Sequence, residues 1–444
     1  MLSVAEAEAV LQSLVVPLAT AEDTERVALL ESVGRILAAP IASPLDFPHW
    51  DNSAMDGYAV RYVDVAQAGS EASADAACLL EVIEAIAAGQ VPQRSIASHQ
   101  AARIFTGAML PEGADTIVMQ ENTRVRGDRQ VEVLQAPPQA GHFVRRRGEF
   151  HRVGDRLLSP GICLGPADIA VLAAAQCATV PVFRRPQVGI LSTGDELVEL
   201  FGALGAGCEP EPCLQPGQII DSNRYALAAL VQHSGAQPHL LGRIGDQPGA
   251  LRAAIAATLT GAIASVTATS SPAQPRPLDL VISSGGVSVG DHDHVDAVLE
   301  ALGATLHIRA VAVKPGKPLT VATLPRPQGP DLLYVGLPGN PVSALVSFWR
   351  FVQPALRRLG GAADWQPQFV QGKTLQSLQA GGQRETYVWG RWRWGAEGGE
   401  FAIAPGSHSS GNLVNLAQTN ALAKIPIGIQ TLAPGDLVEV LLLG

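Results

Sequence analysis

The residues best suited to chemistry sit where apolar runs stop. In Leu278–Gly290 a run of strand length ends at Ser283 and Ser284. Three glycines follow (Gly285, Gly286, Gly290), with Ser288 between them, then Asp291, His292, Asp293 and His294, and then Val295, Val298, Leu299 and Leu302 at helical spacing. A buried strand, a Gly/Ser turn and a helix start together build an anion site, because backbone N–H groups converge there and glycine lets a ligand approach closely. Neither the dinucleotide-binding nor the P-loop spacing is present, so the motif alone names no particular ligand.

Three further strand-like runs end in the same way. Residues 187–192 stop at Ser192-Thr-Gly-Asp-Glu196, residues 238–242 run into Arg243-Ile-Gly-Asp246, and residues 332–336 lead into Gly336-Leu-Pro-Gly-Asn-Pro-Val-Ser343. Open α/β sheets bind ligands beyond the carboxyl ends of their strands. Four such ends on one sheet edge would gather Glu196, Asp246, Asp293 and Ser343 around a single cleft. Each also has a purely structural reading: Asp195, Glu196 or Asp246 as a helix cap, and Pro341 as the first residue of a helix. The run Val313–Leu319 puts Lys314 and Lys317 on a proline-stiffened turn, either a solvated turn or a source of local positive charge. Carboxylates facing lysines and an anion nest suit a Mg²⁺-bridged phosphate. Asp51–Ala59 packs two acids, Asn and Ser around a glycine, and Arg145–Arg147 is either a solvated run or part of a site.

The elements that must position these groups follow from texture. At 444 residues, about three domains of ordinary size are expected. With 47% hydrophobic and 16% charged residues the chain can bury several cores. Its net charge of −10 argues against nucleic-acid binding. No basic-then-apolar leader and no run of 18 apolar residues occur, which predicts a soluble, cytoplasmic protein without a membrane anchor. Five cysteines (78, 163, 177, 208 and 213) show no metal spacing with histidine, so free thiols are expected, with a Cys208–Cys213 pair as the alternative.

Ser3-Val-Ala-Glu6 is a capping box before a helix that stops at Pro17, and a second helical stretch carries Leu29, Leu30 and Val33. Together with 145–185, residues 1–44 are expected to form a small α-containing linker domain. Residues 45–144 read as an inserted β-rich domain. Residues 186–360 alternate strand and helix, predicting a three-layer α/β domain with a mostly parallel sheet. Its strands are expected at 187–192, 238–242, 278–283, 305–313 and 332–336, and its helices at 223–233, 250–260, 295–302 and 341–359. Segments 200–216 and 265–277 read as surface insertions, and 361–444 as a terminal β-barrel.

Eight motifs in order resemble the molybdopterin molybdenumtransferase family (the MoeA/gephyrin E-domain family). They are Asp51-Asn-Ser-Ala-Met-Asp-Gly-Tyr-Ala59, Thr106-Gly-Ala with Pro111-Glu-Gly-Ala, Arg145-Arg-Arg-Gly-Glu149, Ser192–Glu196, Asp221-Ser-Asn223, Ser283–Gly290, Lys314-Pro-Gly-Lys-Pro318 and Leu337-Pro-Gly-Asn-Pro341. The resemblance implies insertion of molybdenum from molybdate into adenylylated molybdopterin, with AMP release and a Mg²⁺ requirement. It implies an α/β domain of molybdopterin-adenylyltransferase type, with such an adenylyltransferase as substrate donor. It also implies a homodimer whose cleft joins the α/β domain of one subunit to the inserted and terminal domains of the other.

Carried over by motif, the functional positions are Asp56, Thr106, Glu196, Asp246, Asp293, Lys314 and Lys317. Pro338, Pro341, Ser343, Ser410 and Arg384 fall on the oxyanion side. Ser283, Gly285, Gly286, Ser288 and Gly290 form the phosphate turn, and Glu196, Asp246 and Asp293 are the expected Mg²⁺ ligands. The chain departs from the family pattern at Phe150, Ala310, His408 and Asn415. A stand-alone adenylyltransferase and a gephyrin-like scaffold are the competing readings. The first leaves Asp51–Ala59 and the extra domains unexplained, and the second leaves the intact acids unexplained.

Overall fold

The computed structural model describes residues 1–69, 78–200, 214–245, 247–259, 276–286 and 294–443. Contacts divide the chain into two compact units, one of residues 1–39, 160–165 and 179–444, the other of residues 40–159 and 166–178.

In the larger unit, helix α1 (Val4–Leu14) starts as the sequence predicts: the Ser3 hydroxyl accepts from the Glu6 N–H while the Glu6 carboxylate accepts from the Ser3 N–H at 2.8 Å. The second helical stretch does not form. Residues Thr24–Ala28 are a strand paired with Thr179–Phe183, leaving only a 3-10 turn at Leu29–Ser32. Leu30 and Val33 face solvent, so the apolar spacing there reflects no buried helix face.

The α/β layer runs β1 (Gln187–Thr193), α2 (Ser222–His233), β2 (Gln237–Ile244), α3 (Pro248–Leu259), β3 (Leu280–Ser284), α4 (Val295–Ala301), β4 (Thr305–Ala310), β5 (Val313–Lys314), β6 (Pro318–Leu324), β7 (Leu332–Leu337), α5 (Pro341–Ser347) and α6 (Gln353–Leu359). The sheet order is β2-β1-β3-β7-β6-β4. The pairs β2/β1, β1/β3 and β3/β7 are parallel, while β6 is antiparallel to both its neighbours. The central parallel strands β1, β3 and β7 are buried on both faces and rich in Val, Ile and Leu, whereas β2 at the edge is half-buried. Burying each of Leu280, Val281 and Ile282 contributes about 1.5–3 kcal/mol.

One face packs with α1, α2, α5 and α6 through Leu11, Leu227, Val346 and Leu356. The opposite face packs with α3 and α4 through Leu251, Ile255, Val295 and Leu299, which makes three layers. The expected strand 305–313 is interrupted. At Ala310 the chain leaves the sheet, and β5 pairs instead with the terminal domain. Strand β6 was not anticipated, although its Leu319-Thr-Val-Ala-Thr-Leu324 run has strand composition.

The terminal domain contains β8 (Phe369–Thr374), β9 (Glu385–Gly395), β10 (Gly398–Ile403), β11 (Ala421–Ile425) and β12 (Leu437–Leu442). Pairings in the order β9-β10-β8-β12-β11, with β11 returning to β9, close a five-stranded barrel. Val388, Phe401, Ala423 and Val440 fill its interior. Tyr387 and Trp389, one position either side of Val388, face the core shared with α5 and α6.

The smaller unit contains a six-stranded sheet ordered 116–119, 57–60, 100–104, 78–86, 130–133 and 123–126, with an apolar cluster on each face. It also holds a helix at Pro166–Ala174. Cys78, Cys163 and Cys177 are free thiols, and Cys208 and Cys213 lie outside the described residues. Among the described residues no helix is long and apolar enough to cross a membrane.

Candidate active site

From β1 the chain crosses to β2 on one side of the sheet and then to β3 on the other, so the strand order reverses beyond the carboxyl ends of β1 and β3. A cavity of about 600 Å³ lies there. Thr193, Gly194 and Glu196 line it from the end of β1, Ser284, Gly285 and Gly286 from β3, and Pro338, Asn340, Pro341 and Ser343 from β7 and α5. Gly285 has φ +97°, and a Cβ there would come within 2.6 Å of the Thr193 carbonyl oxygen, so only glycine fits. Asn340 occupies the N-cap of α5 with Pro341 in its first turn, as predicted. Asp195 and Glu196 cap no helix: they form a turn before the short strand Leu197–Val198.

The buried polar atoms around this cavity are unusually poorly satisfied. Thr193 Oγ1, Asp221 Oδ2 and Asn223 Oδ1 have no hydrogen-bond partner among the described residues. Buried polar groups are nearly always paired, so three orphans lining one cavity mark a site for a polar ligand. Asn223 is held in place by its amide, which donates to the Ser284 hydroxyl and the Gly339 carbonyl, both at 2.8 Å. Thr193, Asp221, Asn223 and Ser284 all lie within motifs quoted above, yet none of them is among the candidate site residues read from the sequence. Ser283 is a correction. It is fully buried and accepts a hydrogen bond from the Tyr334 hydroxyl at 2.7 Å, pointing into the core, while its neighbour Ser284 lines the cavity. Asp246, Ser288, Gly290 and Asp293 lie outside the described residues.

A second cavity, of about 580 Å³, adjoins the first and shares Ser343 and Pro318 with it. Lys314 and Lys317 reach it from the turn between β5 and β6, Arg384 from the start of β9, and His408, Ser409 and Ser410 from the turn after β10. The Ser410 carbonyl accepts from the Val342 N–H at 3.2 Å, which ties this turn to the helix start that bears Ser343. None of the ion pairs among the described residues involves Lys314, Lys317 or Arg384. Three unpaired cations in one cavity of an acidic chain suit a compact anion. The same chain's barrel closes this cavity through the β5–β9 pairing.

Asp56 and Thr106 belong to the smaller unit. The Thr106 backbone N–H and hydroxyl both donate to Asp56 Oδ1 at 2.7 Å and, with Arg103 nearby, hold its carboxyl below the usual aspartate range. Asp51 accepts from Arg146 Nη1 and the Arg147 N–H at 2.7 Å each, and Arg147 Nε donates to Asp46 at 2.6 Å. Two of the three consecutive arginines therefore brace this acidic loop rather than forming a solvated run. Phe150, one of the departures noted above, is 63% exposed.

Replacing Thr106 with Val removes one of the two donors and should raise the Asp56 titration toward the ordinary aspartate range. A carbon-detected NMR titration reads this, and an unchanged midpoint would mean that the hydroxyl contributes nothing. Because the folded value is lowered, the stabilisation from this contact is complete above the unfolded value and is lost as pH falls through the folded one.

Together, the fold and the site define a multidomain α/β enzyme that presents a ligand cavity at a topological switch point beside a cationic oxyanion pocket. Residues 2–175 match the model of the MoeA N-terminal region (domain I and II), residues 189–358 that of the probable molybdopterin binding domain, and residues 371–443 that of the MoeA C-terminal region (domain IV). The chain is 50% identical to the molybdopterin molybdenumtransferase of a Nostoc species, over 99% of its own length and 93% of that protein. It is 37% identical to that of Haemophilus influenzae over 81% of its length and 79% of that protein. The crystal structure of the molybdopterin biosynthesis MoeA protein from Pyrococcus horikoshii is similar throughout, with a TM-score of 0.79, 27% identity and full coverage of both chains. The chain belongs to the molybdopterin molybdenumtransferase family, a family of enzymes.

Proposed function

We propose that this enzyme inserts molybdenum from molybdate into the dithiolene of adenylylated molybdopterin, cleaving the phosphoanhydride and releasing AMP. The observation that carries the reading is the pair of cavities meeting at Ser343. One has glycine-turn amides and orphaned polar atoms suited to a phosphate-bearing pterin nucleotide. The other has three cations outside any ion pair and three serines, suited to a tetrahedral dianion.

Lys314, Lys317, Arg384, Ser343 and Ser410 hold molybdate. Gly285 and Gly286, continuing to Ser288 and Gly290, receive the pterin phosphate, with Pro338 and Pro341 shaping the wall between the two substrates. The described residues also fit Mg²⁺ in kind: Glu196 and the orphaned Asp221 oxygen are hard donors lining one cavity. Glu196, Asp246 and Asp293 would hold the ion, which when bound supplies charge neutralisation at the phosphoanhydride. Among the described residues no cluster of three metal-ligating side chains occurs, so the site depends on Asp246 and Asp293. Asp56 and Thr106 complete the cleft in a cytoplasmic homodimer that receives its substrate from a molybdopterin adenylyltransferase.

Mixing the chain with adenylylated molybdopterin and Mg²⁺ should yield AMP only when molybdate is added. AMP release that ignores molybdate, or none at all, would reject the reading. Asp246→Asn and Asp293→Asn should each abolish release with the fold intact.

A further inference from the structure

Trp389, His408 and Asn415 line or flank the oxyanion cavity but have no part in the roles given above. They are joined to one another. The Trp389 indole is 2% exposed and donates from Nε1 to Asn415 Oδ1 at 2.9 Å. The Asn415 amide then donates to the Ser407 carbonyl at 2.7 Å, an oxygen that also accepts from the Asn412 amide at 2.8 Å. The His408 ring lies on the Trp389 indole, with centroids 4.2 Å apart and planes 33° apart. Its Nε2 is 2.8 Å from the Ala404 carbonyl, and since a carbonyl only accepts, Nε2 carries the proton. Two of the chain's departures from the family pattern, His408 and Asn415, are thus coupled through one tryptophan.

The segment they grip is Pro405-Gly-Ser-His-Ser-Ser-Gly411, which has no apolar side chain of its own to anchor it beyond Pro405. Pro405, Gly406, Ser407 and Ser409 are exposed. A turn of this composition loses conformational freedom when it closes on a ligand, and that loss is subtracted from affinity. The stack and the Trp389–Asn415–Ser407 relay fix it beforehand.

We propose that Trp389, His408 and Asn415 act as one positioning unit, presetting the 405–411 turn so that Ser410 meets the oxyanion beside Ser343. The inference rests on the reading that this cavity holds molybdate. It predicts an effect on molybdate KM rather than on kcat, because the reacting groups remain in place once the oxyanion is bound.

The test compares Ser410→Ala, Asn415→Ala, Trp389→Phe and the Asn415→Ala/Trp389→Phe double variant in molybdate-dependent AMP release. Trp389→Phe keeps a ring under His408 but removes the donor. Asn415→Ala, outside the core, carries the test if the buried tryptophan variant folds poorly. Each should raise molybdate KM about five- to tenfold, the net worth of a hydrogen bond. Values of kcat at saturating molybdate should stay within about twofold. The double variant should cost little more than Asn415→Ala alone, since both changes cut the same relay. If Ser410→Ala raises KM while Asn415→Ala and Trp389→Phe leave it unchanged, the positioning unit is wrong. A kcat that falls together with Tm in additive fashion would also overturn it, as it would show only a packing role. If Ser410→Ala leaves molybdate KM unchanged as well, the cavity is not the molybdate site and the inference falls with that reading.

Discussion

Lys317→Ala is expected to raise the KM for molybdate by one to two orders of magnitude. Lys314, Lys317 and Arg384 line one cavity, and none of them joins an ion pair among the described residues. The chain as a whole carries −10, so long-range attraction does little to bring an anion to this site. The local cations must supply both capture and retention. A charge-assisted hydrogen bond is worth about 1.5–3 kcal/mol, and 1.4 kcal/mol is a factor of ten. Lys317→Arg should restore only part of the loss, because a planar fork does not replace a compact ammonium against a tetrahedral oxyanion. Raising the ionic strength should weaken the wild type more than the variant, since the lysines are exposed. Lys373→Ala serves as the control: this lysine is on the barrel and paired with Glu397 at 2.9 Å. A molybdate KM that responds equally to both alanine variants would contradict the assignment.

The largest expected effect on stability comes from Arg350→Met. Arg350 lies in a π-helical turn, Phe348–Val352, between α5 and α6, and its side chain is 7% exposed. It donates from Nη2 to Glu8 of α1 at 2.7 Å and from Nε to the Tyr387 hydroxyl of β9 at 2.8 Å, and that hydroxyl donates on to Glu385 at 2.6 Å. One guanidinium thus fastens the N-terminal helix, the long helical segment and the barrel to each other. Burial opposes the charge, but Glu8 and Tyr387 outweigh it and hold Arg350 protonated above the usual range, while burial pushes the Tyr387 phenol up. Arg350 and Tyr387 therefore keep their protons near neutral pH.

Removing one member of a buried pair typically costs about 3–5 kcal/mol. Glu8 is partly solvated and Met fills much of the volume, so about 3 kcal/mol is expected here. At about 2.1 cal/mol/K of unfolding entropy per residue, that corresponds to a fall in Tm of roughly 5 °C for the unit that contains it. Calorimetry reads this, and a shift under about 1 °C would show that the bridge contributes nothing. Because Tyr387 also lines the oxyanion cavity, the variant should lose molybdate affinity at temperatures where it remains folded.

What the sequence revealed about the site was mainly its strand ends. Apolar runs that stop at Ser192-Thr-Gly194, Ser283-Ser-Gly285 and Gly336-Leu-Pro338 do converge at the switch point of a three-layer domain. Side-chain parity was harder to read. Ser283 and Ser284 are adjacent in β3 and point to opposite faces, and only the position of Tyr334 across the β3–β7 ladder decides which one reaches the ligand side. The orphaned oxygens of Thr193, Asp221 and Asn223 were not legible either, since an absent hydrogen-bond partner has no sequence signature. Strand β6 lies next to the Lys314–Pro318 turn motif, which hides its strand composition, and the helix expected at Leu29–Val33 shrinks to a 3-10 turn because the preceding residues 24–28 are committed to strand pairing with 179–183. The closure of the barrel back onto the lysine turn depends on a two-residue strand, β5, too short to leave a periodic pattern.

The central claim is that the two cavities meeting at Ser343 divide the substrates between them, with molybdate on the lysine side. Anomalous diffraction at the molybdenum edge from crystals soaked in molybdate measures this directly. A single strong peak within hydrogen-bonding reach of Lys314, Lys317, Arg384 and Ser410 is the expected result. A peak in the Glu196–Gly285 cavity, with none beside the lysines, would contradict it.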